Sequence, residues 1–248
     1  MRRSKVRTVV ISGASSGIGA ATAERFAAAG DDVYNLDVRP PQKAKGPVTW
    51  IRTDVADWSA VEAAIAHVHG TRGRLDVVIA NAGISIRHRA LDITEEDADH
   101  VVRVNLLGVL ALWRAAARRM AAESGGVLLA TGSINGSRGF PHYADYNATK
   151  AGVAALCRTF ALELSPAIRV NCVSPGAVLT PMQQAEYTPQ MLDEVNAQIP
   201  SGRHARPAEI AAAHFYLASD EAAFMTGQEL IMDGGEISGS TTSKFGQI

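Results

Sequence analysis

The feature that most narrows the fold is a β-branched run, Val6 to Ser12, that stops at Ser-Gly-Ala-Ser-Ser-Gly-Ile-Gly and gives way to the alanine-rich stretch Ala20 to Ala29. Strand, glycine turn and helix in that order open a βαβ unit, and Gly30 suits the helix's C-terminal cap. Gly13, Gly17 and Gly19 are spaced G-x-x-x-G-x-G rather than G-x-G-x-x-G, yet the physics is shared. Missing side chains let backbone approach a pyrophosphate, and the unpaired N–H groups of the helix N-terminus point at it. Asp37 ends the next strand, Asp32 to Asp37, eighteen residues after Gly19. An acidic residue so placed accepts hydrogen bonds from an adenosine ribose and repels a 2′-phosphate, which favours NAD over NADP. Arg39, two residues on, offers a guanidinium that pairs with such a phosphate and pulls the other way.

The alternation continues. Val48 to Thr53 reads as a third strand, closed by Asp54-Val55, and Asp57 as the N-cap of a helix carrying Val61, Ile65 and Val68. Asp54 fits either a simple turn or a contact to an adenine amino group. Leu75 to Ala80 is nearly all apolar, as a central parallel strand covered on both faces should be, and ends in Asn81-Ala82-Gly83. Thr94-Glu95-Glu96-Asp97 opens a long helix to about Ala122 whose apolar residues, Val101 to Trp113, run all round it. Gly126 to Ala130 is a fifth strand, Ile168 to Ser174 a sixth and Glu229 to Met232 the last. An alanine-rich helix after Tyr146 carries Val153, Leu156, Phe160 and Leu164, and Pro207 starts another through Leu217. Segment 177–207, with Pro181 and Pro189, reads as a loop with short helices placed as a substrate lid. The pattern predicts one α/β domain over 1–248, a Rossmann-type doubly wound parallel sheet of about seven strands with helices on both faces. Residues 1–5 form an N-terminal arm and 238–248 a small, polar tail.

Chemistry gathers at strand ends. Tyr146 and Lys150 lie four apart, a spacing that stacks them on one helix face, where the ammonium favours the ionised phenol. A tyrosine otherwise titrates near about pH 10. Ser133, after the fifth strand, supplies a hydroxyl for a substrate oxygen beside that phenol. Asn105 sits among apolar residues in mid-helix, where a buried amide needs partners. The formal net charge of −1 offers no general attraction for nucleic acid or anionic membrane. Cys157 and Cys172 have apolar neighbours and no metal-ligand spacing, so buried reduced thiols are expected and no metal. No signal-peptide core or membrane span is read, and a soluble cytoplasmic protein is the expectation.

From Val6 to Gly235 the chain resembles the short-chain dehydrogenase/reductase family. The resemblance rests on the glycine turn Ser12 to Gly19, Asp54-Val55, Asn81-Ala82-Gly83, Asn105, Ser133, Tyr146-x-x-x-Lys150 and Pro175-Gly176. Ser12 stands where the family more often has threonine, which keeps the hydroxyl. The resemblance implies Tyr146 as general acid/base, Lys150 lowering its pKa and holding the nicotinamide ribose, Ser133 orienting the substrate oxygen, and Asn105 holding a water that relays protons. It implies cofactor contacts from Gly13, Ser15, Ser16, Gly17, Ile18, Gly19, Asp37, Asp54, Val55, Asn81, Ala82, Gly83, Pro175, Gly176, Val178 and Thr180. The expected activity is hydride transfer between NAD(H) and a secondary alcohol or ketone. The alternatives are an NADP-dependent 3-oxoacyl-thioester reductase and a non-catalytic dinucleotide sensor. The two apolar helices are expected to make the four-helix contacts of a homotetramer or homodimer.

Overall fold

The computed structural model describes residues 6–41, 47–123 and 125–239, so the expected arm 1–5 and nearly all of the tail lie outside the described residues. Its centre is β1 (Thr8–Ser12), which pairs in parallel with β2 (Asp32–Asp37) on one side and β4 (Val77–Ala80) on the other. With β3 (Val48–Arg52), β5 (Gly126–Thr131), β6 (Ile168–Pro175) and β7 (Glu229–Met232) the sheet order is β3-β2-β1-β4-β5-β6-β7, every pair parallel. The chain winds outward from β1 to β3, then returns to lay β4 on β1's other side. At such a reversal the strand ends diverge and leave a crevice for a ligand.

Successive residues of a strand point to opposite faces, and this divides the core in two. Val10 joins Leu36, Ile65, Trp113 and Leu128 on one face, whereas its neighbours Val9 and Ile11 join Phe26, Ile79 and Leu217 on the other. The first face is covered by α2 (Trp58–Arg72), α4 (Gly108–Met120) and α5 (Ala144–Leu164); the second by α1 (Gly17–Ala28) and α8 (Pro207–Leu217). The expected long helix starts with α3 (Glu95–Val102), capped by the Thr94 hydroxyl accepting from Asp97 N at 3.1 Å. It is interrupted by a π-helical turn, Arg103–Leu107, before α4. Its apolar residues are also less available than the sequence suggests. Val101, Val109, Leu112 and Trp113 are buried in the protein's own core, and the Trp113 indole donates to Leu129 O at 3.1 Å. Glu95–Met120 is long and apolar enough to cross a membrane by composition, but 61% of its most apolar window is buried inside the protein, as a core helix is. The excursion after β6 folds as α6 (Pro181–Glu186) and α7 (Pro189–Gln198), its base tied by a bridge between Val178 and Ala205. Both cysteines are buried free thiols.

Candidate active site

The glycine turn owes its shape to two residues in the left-handed region, Gly13 (φ 67°) and Gly17 (φ 56°), where a side chain is strained. A Cβ on Gly13 would also come within 2.7 Å of Ala82 Cα. Ser12 Oγ accepts from Asn81 N and Ala82 N at 3.0 and 3.1 Å and binds the turn to the end of β4. The Ser16 side chain makes no capping bond to α1, and no acidic residue occupies that helix's first turn. The first N–H groups of α1 are therefore open to an anion. At Gly19 a Cβ would lie 2.2 Å from Gly13 O and 2.5 Å from Asn81 Nδ2, so this glycine lets α1 pack onto the turn.

The Asp37 carboxylate accepts from Ser15 N at 3.1 Å and from Arg39 N at 3.0 Å. Ser15 Oγ donates to Arg39 O at 2.6 Å and accepts from Asn35 Nδ2 at 2.9 Å, which makes Ser15 a strut behind the turn. The acidic group is thus held in place with acceptor capacity to spare, since a carboxylate has about four lone-pair sites.

A cleft of about 490 Å³ runs along these strand ends. Gly13, Ser16, Gly17, Ile18, Asp37, Asp54 and Val55 line one end; Asn81, Ala82 and Gly83 the middle; Ser133, Tyr146, Lys150, Pro175, Gly176, Val178 and Thr180 the other. Of the expected residues, Ser15, Gly19 and Asn105 stand behind the wall. The cleft also has walls that sequence reasoning left out: Leu36, Val38, Thr53, Thr131, Gly132, Gln183 and, from α3, His100. Position at a strand's carboxyl end is a signal for the first five; His100 has none.

Tyr146 and Lys150 share a face of α5, the ammonium 5.4 Å from the phenol ring centroid. Gly136 lets the turn after β5 approach, because a Cβ there would lie 2.8 Å from the Lys150 carbonyl carbon, and this brings Ser133 within hydrogen-bonding reach of the Tyr146 phenol. Lys150 Nζ donates to Thr131 O at 3.0 Å. Asn105, in the π-helical turn, accepts from Ile84 N at 2.9 Å and donates to Ile84 O at 2.8 Å. Gly83 lies between these groups; its absent Cβ would be 3.4 Å from Asn105 Oδ1 and 3.7 Å from Lys150 Nζ.

The expected lowering of the phenol pKa is not found in the chain by itself. Burial pushes Tyr146 up to about 12, opposed by the Ser133 hydrogen bond and assisted by the Glu186 charge. Burial likewise brings Lys150 down to about 8. The ammonium is aimed at the Thr131 carbonyl, so desolvation outweighs its pull on the phenol.

The fold and this cleft define a doubly wound α/β protein with its ligand site at the carboxyl ends of the strands. A family model described as Enoyl-(Acyl carrier protein) reductase matches residues 13–236. The chain is 36% identical over 244 residues to 3beta-hydroxysteroid dehydrogenase 1 of Eggerthella lenta, covering 93% of this chain and 94% of that one. It is 36% identical over 240 residues to the 3-oxoacyl-[acyl-carrier-protein] reductase of Thermotoga maritima, covering 92% and 97%. The ligand-free aldohexose dehydrogenase of Thermoplasma acidophilum superposes with a TM-score of 0.91 at 29% identity, over 96% of this chain and 97% of that one. The protein belongs to the short-chain dehydrogenase/reductase family, whose members use NAD(P).

Proposed function

We propose that this protein is an NAD(H)-dependent oxidoreductase acting on a secondary alcohol or the matching ketone. The observation that carries the reading is a single cleft with Asp37 at one end and Ser133, Tyr146 and Lys150 at the other. The residues fit the dinucleotide: α1 offers uncapped N–H groups, two left-handed glycines clear the approach, and Asp37 keeps free acceptor sites for a ribose. Bound NAD(H) supplies the hydride acceptor or donor. Gly13, Ser16, Gly17 and Ile18 would hold its pyrophosphate, Asp37 its adenosine ribose, and Gly176, Val178 and Thr180 its nicotinamide end.

Ser133 holds the substrate oxygen against the phenol. In the direction of oxidation Tyr146 takes the hydroxyl proton, and in reduction it returns one to the carbonyl oxygen. Lys150, protonated at neutral pH, stabilises the phenolate that takes the proton in oxidation and is left behind in reduction, and Gly83 leaves space between it and Asn105 for a proton relay. Tyr146→Phe should lower turnover by about 100- to 10,000-fold, the usual worth of a general acid/base, and leave NADH binding intact. Turnover followed as NADH absorbance, with NADH affinity by fluorescence titration, checks both; unchanged turnover overturns the assignment.

Arg39 favours a second reading, reduction of a 3-oxoacyl thioester with NADPH, because it lines the cleft beside Asp37. The 3-oxoacyl-carrier reductase among the relatives supports it. The ranking of Asp37 over Arg39 is supported by the anchoring of its carboxylate, which accepts from Ser15 N and Arg39 N. A kcat/KM for NADPH above that for NADH reverses this ranking.

A further inference from the structure

The mechanism leaves Glu186 unused, the last residue of α6, whose Pro181, Met182 and Gln183 wall the cleft. Its carboxylate is placed by three segments. Ser85 Oγ, after β4, donates to Oε1, and Tyr143 Oη, just before α5, donates to Oε2 at 2.7 Å. Tyr143 Oη also lies 3.2 Å from Tyr187 Oη. Burial and these partners raise the Tyr143 pKa, so it remains a phenol donor. The Tyr143 ring meets the Tyr146 ring edge-on, centroids 6.1 Å apart, which seats Glu186 one aromatic ring away from the proposed acid/base. Among the described residues Glu186 forms no ion pair. The Arg87 guanidinium lies 5.4 Å over the Tyr187 ring, and the nearby His88 and Asp145 are paired with each other at 3.3 Å.

We propose that Glu186 makes the substrate end of the cleft selective for neutral secondary alcohols and ketones and against those that carry a carboxylate. This rests on the oxidoreductase reading above. Tyr143 and Glu186 stand just behind the wall that Tyr146 and Gln183 make, so a substrate held between Ser133 and Tyr146 lies within the field of the Glu186 carboxylate without touching it. An anionic substituent there meets an unneutralised like charge. At an effective dielectric of about 20 and a separation of roughly 8 Å, that repulsion is on the order of tenfold or more in kcat/KM.

The test compares wild type, Glu186→Gln and Glu186→Asp on matched pairs, each a carboxylate-bearing cyclic secondary alcohol and its methyl ester. Wild type and Glu186→Asp should prefer the esters, and Glu186→Gln, which keeps one hydroxyl contact through its amide oxygen and can meet the other only by donating to that hydroxyl, should narrow the preference about tenfold. A second readout is the pH profile of kcat. The groups facing Glu186 are Ser85, Tyr143 and Tyr187, with Tyr146 and its Lys150 behind Tyr143, and Arg87 across Tyr187. Because the Glu186 charge raises Tyr146, the profile of Glu186→Gln should move to lower pH. An unchanged ester preference in Glu186→Gln, with turnover still lost in Tyr146→Phe, overturns the role of Glu186 alone. A panel on which no pair is turned over, or turnover that survives Tyr146→Phe, overturns the oxidoreductase reading beneath it.

Discussion

The Thr131 hydroxyl has two side-chain partners, Asn81 Oδ1 at 2.9 Å and His214 Nε2 at 3.1 Å. Asn81 Nδ2 donates to the Ser12 and Gly13 carbonyls, so Oδ1 is the accepting end and Thr131 donates to it. With its one proton committed, Thr131 accepts from His214, which therefore carries its hydrogen on Nε2 and a lone pair on Nδ1. That Nδ1 is buried without a partner, and burial brings the imidazole down to about 4. The folded pKa lies below the unfolded one, so the unfolded chain binds more protons between about pH 6.5 and 4 and stability falls as pH falls through that window. The loss from this group is about 2 kcal/mol between pH 7 and pH 5. His214→Gln retains a donor for Thr131 and should lose that share of the pH sensitivity; urea midpoints at the two pH values measure it, and equal sensitivity in both proteins refutes it. His214 also marks a limit of reading residues in sequence. Tyr146, Lys150, Ser133 and Asp37 were legible because their chemistry attaches to residue type, spacing and strand-end position, and all four line the cleft. A histidine in an alanine-rich helix carries no such mark, since its partner lies 83 residues away. Glu186, too, has its role assigned by Ser85 and Tyr143, which are distant in sequence.

Among the elements, α1 is packed directly onto the glycine turn at Gly19. A side chain on Gly19 would push against Gly13 O and Asn81 Nδ2 together, displacing α1 from the glycine turn and the turn from β4. Gly19→Ala should cost about 1–3 kcal/mol, the usual range for overpacking, and weaken dinucleotide binding as well. Gly70, inside α2 with nothing within 4 Å of its absent Cβ, is the control, and Gly70→Ala should be neutral or stabilising by up to about 1 kcal/mol. Thermal unfolding of the two variants checks the contrast, and similar midpoints would refute it. Element starts were readable where a side chain does the capping: Asp57 accepts from Ser59 N and Ala60 N, and Pro207 opens α8. Thr180-Pro181 and Thr188-Pro189 follow one design, each threonine hydroxyl accepting from the backbone three residues on at 3.3 Å, and they turn the expected lid into two short helices. The π-helical turn at Arg103–Leu107 was not readable. Asn105 is bonded to Ile84 across the fold, and helical periodicity carries no trace of a tertiary bond.

The outer faces of the molecule bear on assembly, for which we propose a homotetramer. On α5, the helix that carries Tyr146 and Lys150, Ala148, Ala151 and Ala155 are exposed, followed by Thr159 and by Leu162 at 84% exposure. A stripe of small residues at helical spacing lets a second helix approach closely, and Leu162 at its end gains most from being covered. Beside β7, the last strand of the sheet, Phe224 is fully exposed, and Tyr216 and Ile231 are each about 40% exposed. An uncovered edge strand with apolar neighbours is a surface that native proteins usually cover. Two distinct surfaces, each pairing with its own copy about a two-fold axis, close into a four-membered assembly with no open end. Leu162→Glu and Phe224→Glu should each halve the mass found by sedimentation velocity, and the double variant should sediment as a monomer. Because Leu162 shares α5 with Tyr146 and Lys150 and Phe224 does not, Leu162→Glu should also reduce kcat more than Phe224→Glu. A monomeric wild type, or a tetramer that survives both changes, refutes these two surfaces as the interfaces.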